Sequence, residues 1–277
     1  MALSPAQQHL RRIQAQLDAQ QRQAHEPMVG ASAYTQQMAI LHSDFLRLKQ
    51  VQSIEAKAAL KRELIPAYIP YLDGILRADS GAKDEVVMTC FAWSIDAQCY
   101  DLALRLADYV LRHHLTMPDR FARTTACFLA EEVADAADRA RRAGQPFEAI
   151  AVLTQVEQLT ATHDMPDPVR AKLLIAIARQ EWIQAGDHVT PSVLDTIIGR
   201  FRRALALDAH CGCKKECEQA ERMRKQSNDG ASADTRQSDS LSNESSPSVP
   251  ATRRPRPSLL KPVSANTGRA TDVGGDQ

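Results

Sequence analysis

Four sets of residues in this chain carry side chains that could do chemistry. Lys57 and Lys61 stand one helical turn apart, with Arg62 beside them and Arg47 and Lys49 upstream. On one accessible helix face such cations would contact phosphate oxygens. Arg11 and Arg12, just after His9, form a second cationic set. Both sets also fit the solvated faces of amphipathic helices, which charge runs usually are. The third set is acidic: Glu131, Glu132, Asp135 and Asp138. Metal-dependent hydrolysis of a phosphodiester gathers two or more carboxylates around Mg²⁺. Glu131, Asp135 and Asp138 share a helical face, but an acidic stripe alternating with alanines is expected to face solvent. The fourth set is His210, Cys211, Cys213 and Cys217. Its spacing is poor for a tetrahedral zinc site, which draws on two separated ligand pairs, so reduced surface or half-buried thiols are expected. No glycine-rich phosphate loop is present, so no ATP site is expected. His113 and His114 close a helix ahead of Met117 and Pro118, where imidazole favours the negative helix end.

The elements that position these residues are predicted to be helices. Of 277 residues, 44% are apolar, 25% charged and only 5% aromatic, while β-branched runs are scarce, which points to an all-α chain with one sizeable core or two small ones. No run approaches eighteen apolar residues and the N-terminus has no signal-peptide pattern, so a soluble intracellular protein is expected. Cys90, Cys99 and Cys127 lie among apolar residues and read as small core side chains. The net charge of zero is segregated. Residues 1–65 carry eight Lys and Arg against five Asp and Glu, and residues 66–225 carry twenty against twenty-three. The basic end is N-terminal, which is where phosphate contact would concentrate.

Helix signals punctuate the chain. Ser4 and Pro5 open a first helix whose Leu10, Ile13 and Leu17 recur on one face until Pro27 and Gly30. After Ser32, a second helix is expected from Tyr34 to Leu64, roughly 45 Å long at about 1.5 Å per residue. The connection between them contains Pro27 and is too long for a helix-turn-helix. Pro66 and Pro70 redirect the chain into a short helix over Ala67 to Arg77. From residue 84 the chain reads as antiparallel helix pairs, and Tyr100–Asp119 echoes Phe147–Asp167 at a period of about 47 residues, each ending on Met-Pro-Asp. A third copy would start near Val193. A tetratricopeptide-like stack and an irregular bundle both satisfy this pattern. Trp93 and Trp182 are expected core anchors. Past Gln226 the composition changes: residues 227–249 hold eight serines, followed by repeated prolines, so a disordered tail is expected. Within it, Arg253, Arg254 and Arg256 form a cationic cluster suited either to phosphates or to plain solvation. The organisation is therefore an N-terminal helical region (1–65) for DNA binding, oligomerisation or both, a helix-pair domain (66–226) and a tail (227–277).

The words KAALKRELIPAYIPYLDGIL, GAKDEVVMTCFAWSID and LRHHLTMPDRFARTTACFLAEEVADAADR follow one another between Lys57 and Arg139, and HDMPDPVRAKL follows from His163. In this order the chain resembles the terminase small subunit, also called terminase endonuclease subunit, of Peduovirus-type tailed phages and prophages. The resemblance spans roughly residues 1–225. It implies a homo-oligomer in the bacterial cytoplasm, partnered by an ATPase subunit. The pair would recognise and cut double-stranded viral DNA for packaging, with Mg²⁺ required if cleavage resides in this chain. It also implies that N-terminal helices meet DNA, which singles out Arg11, Arg12, Arg47, Lys49, Lys57, Lys61 and Arg62. No nuclease signature is visible in the residues. The alternative is a helical-repeat adaptor that binds only protein.

Overall fold

The computed structural model describes residues 3–118, 123–145, 147, 150–186 and 189–241, with side chains described as far as residue 228. Eleven α-helices and no named strand occur among the described residues: α1 (Pro5–Gln20), α2 (Ser32–Gln50), α3 (Ile54–Leu64), α4 (Ile69–Ala78), α5 (Glu85–Asp96), α6 (Tyr100–Arg112), α7 (Thr125–Arg142), α8 (Ile150–Thr160), α9 (Asp167–Ala185), α10 (Pro191–Leu207) and α11 (Lys214–Leu241). The all-α expectation holds.

Local chemistry sets the boundaries. Ser4 and Gln7 close a reciprocal capping box with Pro5 in the first turn of α1. The long helix expected over Tyr34–Leu64 is instead two helices, of 19 and 11 residues. Val51 is extended (φ −90°, ψ 130°), and the Ser53 hydroxyl accepts from the Ala56 backbone N–H at 3.3 Å, starting α3 afresh. A serine that can satisfy an orphan amide competes with helix continuation, and here it wins. Pro66 sits in a single 3₁₀ turn (Ile65–Ala67), and α4 begins two residues later than expected.

The apolar face of α1 is also turned differently from the expectation. Ala15 and Ala19 are the buried residues, while Leu10 and Leu17 remain 65% and 53% exposed. Small side chains allow closest approach to α4, where Gly74 faces the backbone of Arg12. A Cβ there would stand 2.8 Å from that of Ala15.

The centre of the fold is α5, in which every residue from Val86 to Ile95 is buried. A helix apolar all round must be enclosed, and α3, α2, α6 and α7 pack on it. Three consecutive helix pairs follow, α5 with α6, α7 with α8 and α9 with α10, and α7 packs against both α5 and α9. Short connections, such as residues 97–99, keep each pair adjacent. Two cores result. The larger runs from α1 to α9, and the smaller joins Ala171, Leu174, Ile175 and Ala178 of α9 to Phe201 and neighbours of α10 and to Cys213, Cys217 and Ala220. Both tryptophans serve these cores as expected: Trp93 meets Phe45 and Tyr68 edge-on at 5.4 and 6.1 Å, and Trp182 lies 6.4 Å from Phe201. Helix α11 continues past Gln226 to Leu241, and residues 242–277 of the expected tail, with its arginine cluster, lie outside the described residues.

Candidate nucleic-acid interface

The seven cations do not share one fate. Lys61 is salt-bridged to Asp96 at the end of α5. Beside it, Arg62 donates twice to the Ala97 carbonyl, at 3.1 and 2.8 Å, against the negative end of that helix. These two side chains clamp α3 to α5. Arg47 lies 3.3 Å from the carboxylate of buried Asp44, which also accepts the Tyr68 hydroxyl at 2.7 Å, and 3.7 Å from Glu63. Arg11 is half-buried against α2, with its guanidinium 3.2 Å from the Gln37 amide oxygen in the amide orientation that satisfies both. Arg12 contacts His9 at 2.8 Å, and its buried Nε has no partner among the described residues. Exposed Lys49 and half-buried Lys57 carry no ion pair among the described residues. They flank the bend between α2 and α3, the bend missing from the sequence expectation. These two of the seven, with neither ion pair nor side-chain hydrogen bond among the described residues, therefore stand where two helix ends meet.

A further set of exposed cations was missed by reading the sequence for charge balance. Arg203 on α10 and Lys214, Lys215 and Lys225 on α11 are exposed and lack ion pairs among the described residues. The doublets Arg202–Arg203 and Lys214–Lys215 were its only signal. Their neighbours Arg202 and Arg224 are used structurally, against Glu221 at 2.7 Å and Asp195 at 2.8 Å.

The acidic stripe of α7 is not the solvated face expected of it. Arg123 meets Glu131 and Glu132 at 2.5 and 2.9 Å, and Lys172 of α9 bridges Glu131 and Asp135 at 3.2 and 3.0 Å. Asp138 is held by Arg141, Arg142 and Arg179, and Arg179 reaches on to Glu216 of α11 at 2.7 Å. Partial burial opposes ionisation of Glu131, yet the hydrogen bonds from Arg123 and Lys172 hold its carboxyl below the usual range. Asp138 is lowered likewise: burial opposes it, and Arg141 leads the groups that overcome it. These carboxylates do not fit Mg²⁺, because each is already neutralised by a guanidinium or ammonium group that the metal would have to displace. Among the described residues no three His, Cys, Asp or Glu side chains are grouped to hold a metal ion. The other candidates are structural too. Cys213 and Cys217 are buried, not superficial, and the His113 ring meets Asp79 at 2.7 Å.

Comparison with known proteins supplies the rest. A family model described as phage small terminase subunit matches residues 38–168. The terminase endonuclease subunit of Escherichia phage P2 is 39% identical over 219 residues, covering 79% of this chain and 85% of that protein. The chain belongs to the phage small terminase subunit family. The probable terminase endonuclease subunit of Haemophilus phage HP1 is 23% identical over 186 residues, 64% of this chain and 66% of that protein. No solved structure matches. Membership assigns the chain a role in phage DNA packaging. The segment matched to small terminase subunits contains the α2–α3 bend with Lys49 and Lys57 as well as the acidic stripe, whereas α1, α10 and α11 lie outside it. Among the described residues no helix is long and apolar enough to cross a membrane.

Proposed function

We propose that this terminase small subunit binds double-stranded viral DNA at the packaging site, assembles as a homo-oligomer in the bacterial cytoplasm and delivers the DNA to the ATPase subunit. The observation that carries the DNA part is the pair of lysines at the α2–α3 bend that lack an ion pair among the described residues, within residues 1–65, where positive charge is in excess. Lys49 and Lys57 can reach phosphates without breaking an existing ion pair. Arg47 and Arg62 extend this surface only by giving up part of what they now hold. Self-association draws on α1, whose Leu10 and Leu17 face outward opposite the helix's packed side.

Salt-dependent gel shifts on packaging-site DNA test this reading. Retardation that weakens steeply as salt rises is expected from phosphate contacts, and no retardation at low salt overturns it. The relatives in phages P2 and HP1 carry the name endonuclease. If cleavage resides in this chain, its site lies elsewhere than the paired carboxylates of α7. The expected result for the isolated chain with Mg²⁺ is therefore nicking that survives replacement of Asp135, or no nicking. A protein-only adaptor is the second reading, favoured by the three consecutive helix pairs, since helical repeats use such pairs to present extended surfaces to partners.

A further inference from the structure

The turn joining α10 to α11 and the first turn of α11 together hold half of the protein's six thiols within seven positions, and two of them face each other. The Cys211 Sγ lies 3.5 Å from the Cys213 Sγ. Local geometry brings them together. The Asp208 carbonyl accepts from the Cys211 backbone N–H at 3.2 Å, its carboxylate accepts from that of His210 at 2.8 Å, and Gly212 turns the chain with φ +82°. A left-handed residue between two cysteines swings both side chains to one side, which glycine alone adopts cheaply. Cys213 is fully buried in the smaller core, its Sγ 3.8 Å from the Phe201 carbonyl, while Cys211 is only half-buried at the edge of the cleft that Asp138 and Arg179 also line. Cys217 stands one turn into α11 with its thiol 3.8 Å from Glu221, so it does not compete for the pair.

We propose that Cys211 and Cys213 are a thiol modification site that closes to a reversible intramolecular disulfide, with a low-molecular-weight disulfide such as glutathione disulfide as oxidant. The accessible Cys211 attacks first as the thiolate. A bond forms between its sulfur and one glutathione sulfur, the glutathione disulfide bond breaks, and the leaving glutathione thiolate takes up the proton that Cys211 gave to solvent. Cys213 then loses its proton to solvent and attacks the Cys211 sulfur, which expels the second glutathione as a thiolate that is protonated in turn. Two protein thiols are oxidised and one glutathione disulfide is reduced to two glutathiones. The sulfurs must close from 3.5 Å to about 2.0 Å, which side-chain rotation can supply. Burial pushes the Cys213 thiol up to about 12, helped by its contact with Cys211, so the second cysteine acts only after the first has been engaged. The ring would fix the start of α11, whose Cys217, Ala220 and Met223 complete the smaller core, against the end of α10.

Trypsin makes the test clean, since cleavage after Arg203 and Lys214 leaves Cys211 and Cys213 in one peptide and Cys217 in the next. The full chain is equilibrated in glutathione buffers of graded oxidation, blocked with an alkylating agent and digested. The expected result is a peptide lighter by two hydrogens and refractory to alkylation, restored by dithiothreitol. Phenylarsine oxide, which bridges adjacent thiols, should bind the reduced chain at one equivalent and lose that site in Cys211→Ser, a half-buried position chosen so that the fold survives. Linkage to Cys217, a persistent glutathione adduct at Cys211 with Cys213 still alkylatable, or arsenical binding that survives Cys211→Ser would each overturn the proposal.

Discussion

At the level of single side chains, Lys61 and Arg62 illustrate how a cation that invites a ligand can be occupied by its own fold. Both were candidates for phosphate contact, yet both reach the end of α5, and Lys49 and Lys57 do not. This separates two outcomes. Lys61→Ala with Arg62→Ala should lower stability by about 1–3 kcal/mol, since charged hydrogen bonds to a helix end are lost, and urea denaturation measures it. Lys49→Ala with Lys57→Ala should leave the urea midpoint within about 0.5 kcal/mol but weaken DNA retardation and flatten its salt dependence. Unchanged retardation would remove the α2–α3 bend from the proposed interface. A buried acid gives a second prediction. Asp84 caps α5 through the Val87 N–H at 3.0 Å and accepts the Tyr71 hydroxyl at 2.5 Å, but complete burial outweighs both and pushes its carboxyl up to about 6. An unfolded Asp titrates near about 3.9, so the folded state binds the proton more tightly. The stability this contributes is full below about pH 4 and is lost as pH rises through about 6. Melting temperatures should therefore show wild type losing ground to Asp84→Asn between these values, and a constant difference across that range would refute the shift.

At the level of helices, most of the fold was legible, because capping residues and prolines are local signals. Ser4, Pro66, Pro70 and Thr190 begin or redirect helices where their chemistry demands. Pairing from α5 onward was legible too, since apolar periodicity names a buried face. Two features were not. The bend at Val51–Ser53 rests on one serine hydroxyl competing with an otherwise helical stretch, a contest decided by how well α3 packs on α5. The orientation of α1 was read from Leu10, Ile13 and Leu17, the largest apolar residues, whereas contact with α4 depends on small ones. The site was less legible than the fold, because whether a lysine is free depends on carboxylates and carbonyls far along the chain. Gly74 tests the α1 packing. Gly74→Ala would push a methyl group into the backbone of α1 and should cost about 1–3 kcal/mol in urea denaturation, with earlier proteolytic cutting between α1 and α2. A neutral Gly74→Ala would mean that α1 is not held there.

Over residues 3–228, charge and apolar surface are allotted differently along the chain. Ion pairs running from Arg123 through Lys172 and Arg179 to Glu216 tie α7, α9 and α11 together, so the acidic stripe is spent on assembly of the helix-pair region. The N-terminal helices instead leave both cations and apolar residues in solvent. Exposed Leu10 and Leu17 lie two turns apart on α1, and Ile54, 86% exposed, opens α3. Leaving such residues in water forgoes on the order of 1.5–3 kcal/mol each, which burial against a partner would recover. The positions three and four residues from Leu10 and Leu17, namely Ala6, Gln7, Ile13, Gln14, Gln20 and Gln21, carry no charge, so two copies of this face could meet without like charges opposing one another along its centre. Under the proposed function the oligomer forms here, and its mass in light scattering should be several times that of the chain. Leu10→Ser with Leu17→Ser should shift that mass toward the monomer at micromolar concentration while the circular dichroism spectrum stays helical, because neither residue is part of the core. An unaltered mass would place the assembly contact on another surface. A monomeric wild type would exclude the homo-oligomer itself.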